Sequence, residues 1–130
     1  MTRFALLVLP LALAACMPED TQSSDSTTIP IAIQGRWGLA ANECTADPSI
    51  AKGLLVIDAT TLKFYESRAT LAAVKSTTPT RLEATFDFSG EGQAWQLDQV
   101  LDVQDGGKVL IRREYGVEAM PGALRYVACD

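Results

Sequence analysis

Thr80-Arg81-Leu82-Glu83-Ala84-Thr85-Phe86-Asp87-Phe88 alternates residue by residue between apolar and polar side chains. Leu82, Ala84, Phe86 and Phe88 point one way along an extended chain, and Arg81, Glu83, Thr85 and Asp87 point the other. A period of two is the mark of a strand with one face buried and one face in water. Ser89-Gly90-Glu91-Gly92 supplies a turn, and residues 93–104 resume the alternation with Trp95, Leu97, Leu101 and Val103 on the apolar row. Asp105-Gly106-Gly107-Lys108 is a second turn, of the hairpin kind. Residues 109–115 make the next strand, and Met120-Pro121-Gly122-Ala123 leads into a last one over residues 124–129.

The same grammar runs upstream. Residues 54–58 and 62–67 flank Asp58-Ala59-Thr60-Thr61 as another hairpin, and residues 35–39, centred on Trp37, make the first strand. Residues 68–75 are read as a strand, with a short helix as the alternative. The expected fold is all-β: a small antiparallel meander of seven or eight strands closed as a barrel, with a β-sandwich as the alternative. Strands with one apolar face close or stack in this way because open edges invite aggregation.

The first fifteen residues have a different character. Arg3 precedes an apolar run from Phe4 to Leu13, broken at Pro10, and small residues Ala14 and Ala15 precede Cys16. The run is too short to span a bilayer as a helix, which takes about 20 residues. Leu13-Ala14-Ala15-Cys16 resembles a bacterial lipobox, where a peptidase cuts before a diacylglycerylated cysteine. The resemblance implies a lipoprotein signal peptide over 1–15, lipid on Cys16, and a cell-envelope location. Several acyl chains hold firmly where one binds marginally. Met17, in place of an aspartate, favours the periplasmic face of the outer membrane over the inner membrane.

Residues 18–28 are acidic and hydroxylated with no apolar side chain to bury. A lipidated N-terminus and flexible tether over 16–29 is expected, with an r.m.s. reach of roughly 20 Å. A single β domain over 30–130 follows. Loss of Arg3 with the leader leaves 10 basic against 16 acidic residues, a net charge of −6. An acidic chain without a basic cluster argues against nucleic acid and against anionic lipid headgroups as partners.

With one of three cysteines given to lipid, Cys44 and Cys129 remain as an even pair. In an oxidising compartment they are expected to form a disulfide. There is no histidine in the chain, which removes the commonest general base and the commonest transition-metal ligand. No cofactor or metal site is expected. Glu66, Glu83, Glu91 and Glu114 are candidate catalytic carboxylates by residue type alone; Glu83 and Glu114 read as solvent-face strand residues and Glu91 as a turn residue. Asp102 and Asp105 belong to a hairpin, without the spaced oxygens of a calcium loop.

One constellation interrupts the apolar rows. Glu66 falls in phase with Leu62 and Phe64, Arg113 with Val109 and Ile111, and Gln99 sits between Leu97 and Leu101. Charge placed inside a barrel is costly unless paired. Glu66, Gln99 and Arg113 are therefore read as a structural Glu66–Arg113 pair or a rim position where the strand leaves the core, or else as a polar patch lining a ligand pocket.

Gly35-Arg36-Trp37-Gly38-Leu39, Cys44, Phe64-Tyr65-Glu66-Ser67, Gly90-Glu91-Gly92 with Trp95, and Cys129 resemble a group of uncharacterised small lipoproteins of α-proteobacteria; the resemblance implies no activity. Gly35-x-Trp37 followed by Cys44 is more loosely similar to small β-barrel inhibitors of envelope proteases or lysozymes. Gly35-x-Trp37 with Arg125 in the final strand is also similar to lipocalins, where an arginine packs over the tryptophan. The leading expectation is a non-enzymatic, lipid-anchored binding or inhibitory module. Its partners would be the membrane, through lipid, and an envelope protein or hydrolase. A structural envelope lipoprotein is the alternative, and a small carboxylate hydrolase is less favoured. An inhibitor needs a projecting segment, for which residues 116–123 with Met120 are the candidate.

Overall fold

The computed structural model describes residues 27–130. The proposed leader, Cys16 and most of the tether lie outside the described residues. Eight strands follow in order: β1 Gly35–Gly38, β2 Leu54–Ile57, β3 Thr61–Lys63, β4 Arg68–Thr77, β5 Arg81–Gly90, β6 Gln93–Gln104, β7 Val109–Tyr115 and β8 Ala123–Ala128. Each pairs antiparallel with the next, and β8 returns to β1, closing the barrel. The barrel reading holds and the sandwich alternative falls away, because one continuous ring of pairing leaves no second sheet.

Side chains inside the ring come from the alternating rows. Leu82, Ala84, Phe86 and Phe88 of β5 are buried, as are Leu97, Gln99, Leu101 and Val103 of β6. Directly paired residues share a face, so the β5–β6 register sets Phe86 beside Leu97 and Phe88 beside Trp95 inside the barrel. One end is filled by the segment ahead of β1. Ile29 and Ile33 are fully buried in the core, Ile29 N–H donates to the Ala59 carbonyl in the β2–β3 turn, and Trp37 Nε1 donates to the Ile33 carbonyl at 2.8 Å. The packed body thus begins at Ile29, which the tether was expected to include.

Residues 68–75 are strand. Their weak alternation has a cause: the β4–β5 register shifts between Leu71 and Ala73 and again between Val74 and Ser76. Each shift places two residues of β4 opposite one of β5, the geometry of a bulge, which bends a strand and interrupts its period. The expected second arm of the first hairpin is shorter than residues 62–67. β3 ends at Lys63, and Phe64 N–H donates to the Ser67 carbonyl across a turn.

Cys44 and Cys129 are disulfide-bonded, with Cα atoms 5.1 Å apart. Cys44 ends a short 3₁₀ helix, Ala41–Cys44, in the β1–β2 connection. Arg36 Nη2 donates to the Cys44 carbonyl, and Cys129 N–H to the Arg36 carbonyl. The expected packing of Arg125 over Trp37 does not occur. Arg125 is exposed and pairs with Ile111, which places it on the outer face.

Candidate functional site at the barrel mouth

The phase expected for β7 is overturned. Counting outward from the 105–108 loop, Val103 pairs with Leu110, Leu101 with Arg112 and Gln99 with Glu114. Leu110, Arg112 and Glu114 therefore share the inner face with β6, and Arg113, paired with Val100, points out and is exposed. Val109 and Ile111 suggested the opposite phase because they are apolar. They pair with Val127 and Arg125 on the outer face, where Val109 is nonetheless covered and Ile111 half-buried. Glu66 is not inward either: it sits exposed in the β3–β4 turn. Of the three expected polar residues only Gln99 is inside, with 0% of its surface exposed.

The interior charge is Arg112, 5% exposed, and its counter-ion is Glu114, whose side chain is 12% exposed. Arg112 Nη1 donates to Glu114 Oε1 at 2.6 Å and to Gln99 Oε1 at 3.0 Å, while Nε donates to Tyr126 Oη at 3.2 Å. Its guanidinium carbon lies 4.7 Å from the centre of the Phe64 ring, in cation–π contact. Glu114 Oε2 accepts the Met120 backbone N–H at 3.0 Å, which ties the β7–β8 loop to the barrel interior. Glu114 is thus a largely covered, inward-facing partner and not the solvent-facing residue expected of it. Gln99 Nε2 is the one buried side-chain nitrogen or oxygen without a hydrogen-bond partner among the described residues.

Above this polar floor is a cavity of about 700 Å³. Phe64, Phe88, Trp95 and Leu97 form its apolar wall, Arg112 and Glu114 its floor, and Ser67, Gln93, Ala94, Glu118 and Met120 its rim. The aromatic side chains stand in a row. Phe64 and Phe88 are stacked with centroids 6.0 Å apart and planes 20° apart, and Phe88 and Trp95 at 5.5 Å and 19°. The β3–β4, β5–β6 and β7–β8 connections all contribute to the rim. In an up-and-down barrel these three lie at one end, opposite the end filled by Ile29 and Ile33. The cavity is the mouth of the barrel.

Glu66, Glu83 and Glu91 do not enter this site: Glu66 and Glu91 sit in exposed turns, and Glu83 pairs with Val100 on the outer face. No group of three acidic, cysteine or histidine side chains suited to a metal ion occurs among the described residues. Compared with protein-family models, with curated proteins and with solved structures, the chain matches none.

The register that reveals Arg112 and Glu114 has a sequence-level signal. The 105–108 turn predicts which residues of β6 and β7 face each other, and pairing from it puts both charges opposite an inward row. The apolar character of Val109 and Ile111 obscured that signal.

Proposed function

We propose that the protein is a lipid-anchored, non-enzymatic binding module of the cell envelope whose barrel mouth takes a small molecule. The observation that carries this is the mouth itself: a cavity of about 700 Å³ with an aromatic wall and a buried arginine on its floor. Small-molecule sites are mostly apolar concavities of roughly 300–1,000 Å³ with a few fixed polar groups, and barrel mouths are a common place for them. The lipobox-like Leu13-Ala14-Ala15-Cys16 supports the anchor, and the Cys44–Cys129 disulfide fits an oxidising compartment.

The anchoring of the 116–122 loop at the mouth supports a small-molecule site over an inhibitor, although Val117 stands fully in solvent. An inhibitory segment must project to enter another protein's cleft. Here Met120 is held by Glu114, Ala119 N–H donates to the Gly116 carbonyl, and Glu118 and Met120 border the cavity. Native mass spectrometry of the protein purified from its own envelope tests the choice. A small-molecule adduct released on unfolding is the expected result; a stoichiometric hydrolase with no adduct would replace this reading with inhibition. The anchor is tested separately by metabolic labelling with an alkyne fatty acid. Wild type should be labelled and Cys16→Ser should not; label that survives the substitution removes the anchor.

A further inference from the structure

Arg112 has five N–H donors, and the hydrogen bonds it makes among the described residues use only Nε and Nη1. Nη2 is not among the sequestered, unpartnered atoms, a description that among the described residues fits Gln99 Nε2 alone. Arg112 lines the cavity, which makes the N–H groups of Nη2 the donors it has left to offer there. A fixed, charged donor at the floor of a mouth with an aromatic wall calls for an acceptor oxygen on whatever enters.

Charge around the cavity narrows the class. An anion would approach Arg112 only alongside Glu114, which already neutralises it at 2.6 Å, and past Glu118 on the rim. A cation would share the cavity with the guanidinium. In a low-dielectric mouth each sign meets its like at substantial cost. The aromatic faces point the same way. Arg112 covers Phe64, and Phe88 is in contact with both Phe64 and Trp95, so no cage of free ring faces is left for an ammonium group. Among the described residues no further ring stacks on Trp95. A flat apolar body placed against it would extend the row in the offset geometry that aromatic rings prefer.

We propose that the barrel mouth selects a neutral ligand with a flat apolar body and a carbonyl-type oxygen that accepts a hydrogen bond from Arg112 Nη2. This rests on the mouth being a small-molecule site. The probe is a naphthalene carrying a propionyl group and a dimethylamino group, whose emission reports both dryness and hydrogen bonding at the carbonyl. It is titrated into the chain lacking residues 1–16 with the Cys44–Cys129 disulfide formed, so that neither lipid nor detergent competes for the mouth. Three relatives displace it: one with propyl in place of propionyl, one with a carboxylate and one with a trimethylammonium in place of the amine.

Saturable binding of one probe per chain is expected, abolished by Gln93→Trp, at a cavity-lining position that shares the face of Trp95. The propyl relative should bind roughly tenfold more weakly or worse, the loss of a hydrogen bond to a charged donor, and both charged relatives more weakly again. Arg112→Lys keeps the charge beside Glu114 and removes Nη2. It should weaken the propionyl probe to the level of the propyl one and leave the propyl one unchanged. If that variant does not fold, the comparison of the two probes on the wild type still decides. Equal binding of propionyl and propyl probes overturns the role of Nη2, and a charged relative that binds as well as the neutral one overturns the neutral class. Either result leaves the mouth as a binding site. If none of the four binds, or if Gln93→Trp changes nothing, the reading of the mouth falls and this inference with it.

Discussion

Arg112 holds the interior of the upper barrel together through Glu114, Gln99, Tyr126 and Phe64. Its removal strands a largely buried carboxylate, for which the cost is roughly 3–5 kcal/mol. Arg112→Met should show that loss in urea denaturation, and adding Glu114→Gln to it should restore a large part. Glu66→Gln and Arg113→Met, both exposed and without an ion pair among the described residues, should each cost little, with coupling below about 0.5 kcal/mol. A strong Glu66–Arg113 coupling in that cycle would contradict the register of β7. Gln99→Leu is a different case. It removes an acceptor from Arg112, which keeps Glu114, and also removes the unpartnered Nε2. A bond lost and an unmet donor relieved are of similar size, so the net change should stay within about 1 kcal/mol.

Among the elements, the β3–β4 turn and the end of β5 are fitted to each other at Gly90. A Cβ built on Gly90 would lie 2.7 Å from the Glu66 carbonyl oxygen and 2.9 Å from Ser67 Cβ. The neighbour is backbone, so it cannot swing aside, and Gly90→Ala must push the turn that carries Phe64 and Ser67. A loss of about 1–3 kcal/mol is expected in denaturation, together with a change in Trp95 emission as the aromatic row shifts. Across β4, β5 and β6, Asp98 accepts from Lys75 Nζ and Thr85 Oγ1 on the outer face. The Lys75 hydrogen bond, then that of Thr85, holds the Asp98 carboxyl below its ordinary value of 3.8. A carboxyl lowered by folding stabilises fully above its unfolded pKa and loses that contribution as pH falls through the folded one. The stability gap between wild type and Asp98→Asn should therefore be steady from about pH 6 to 8 and close below about pH 4. A gap that widens in acid would contradict the assignment.

For the molecule as a whole, the closing seam is short: β1 meets β8 through two residue pairs, Trp37 with Ala128 and Gly38 with Val127, as few as join β2 to β3 across their tight turn. The disulfide lies beside that seam and joins positions separated by 85 residues. The chain-entropy model assigns such a bridge about 4–5 kcal/mol, and loss of a native bridge from a small secreted domain typically costs about 2–5 kcal/mol. Marginal domains are stable by only about 5–15 kcal/mol. Cys44→Ala with Cys129→Ala should lower the melting temperature steeply. Because the bridge sits at the seam, amide exchange should rise first in β1 and β8 while the long β5–β6 hairpin stays protected. Uniform acceleration over all eight strands would show that the bridge acts only through the unfolded chain.

The succession of strands and turns was legible in the sequence, because alternation along a half-buried strand is set by each residue's immediate neighbours. Arg81–Phe88 and the 105–108 turn read as they fold, and the Cys44–Cys129 bridge was expected once Cys16 was set aside for lipid. Gln99 was legible as an inward polar residue for the same reason: it sits between Leu97 and Leu101 on a long, regular row. What lay beyond the sequence was decided across strands. Closure of β8 onto β1 joins segments almost a hundred residues apart, and no local pattern encodes that pairing. The facing of β7 depends on the register with β6, and a slip of one residue exchanges its two faces; that is how Arg112 and Glu114 replaced Arg113 and Glu66. The mouth is tertiary for the same reason. Phe64, Phe88, Trp95 and Arg112 become one site only when the closed ring brings the ends of separate strands together around a shared cavity.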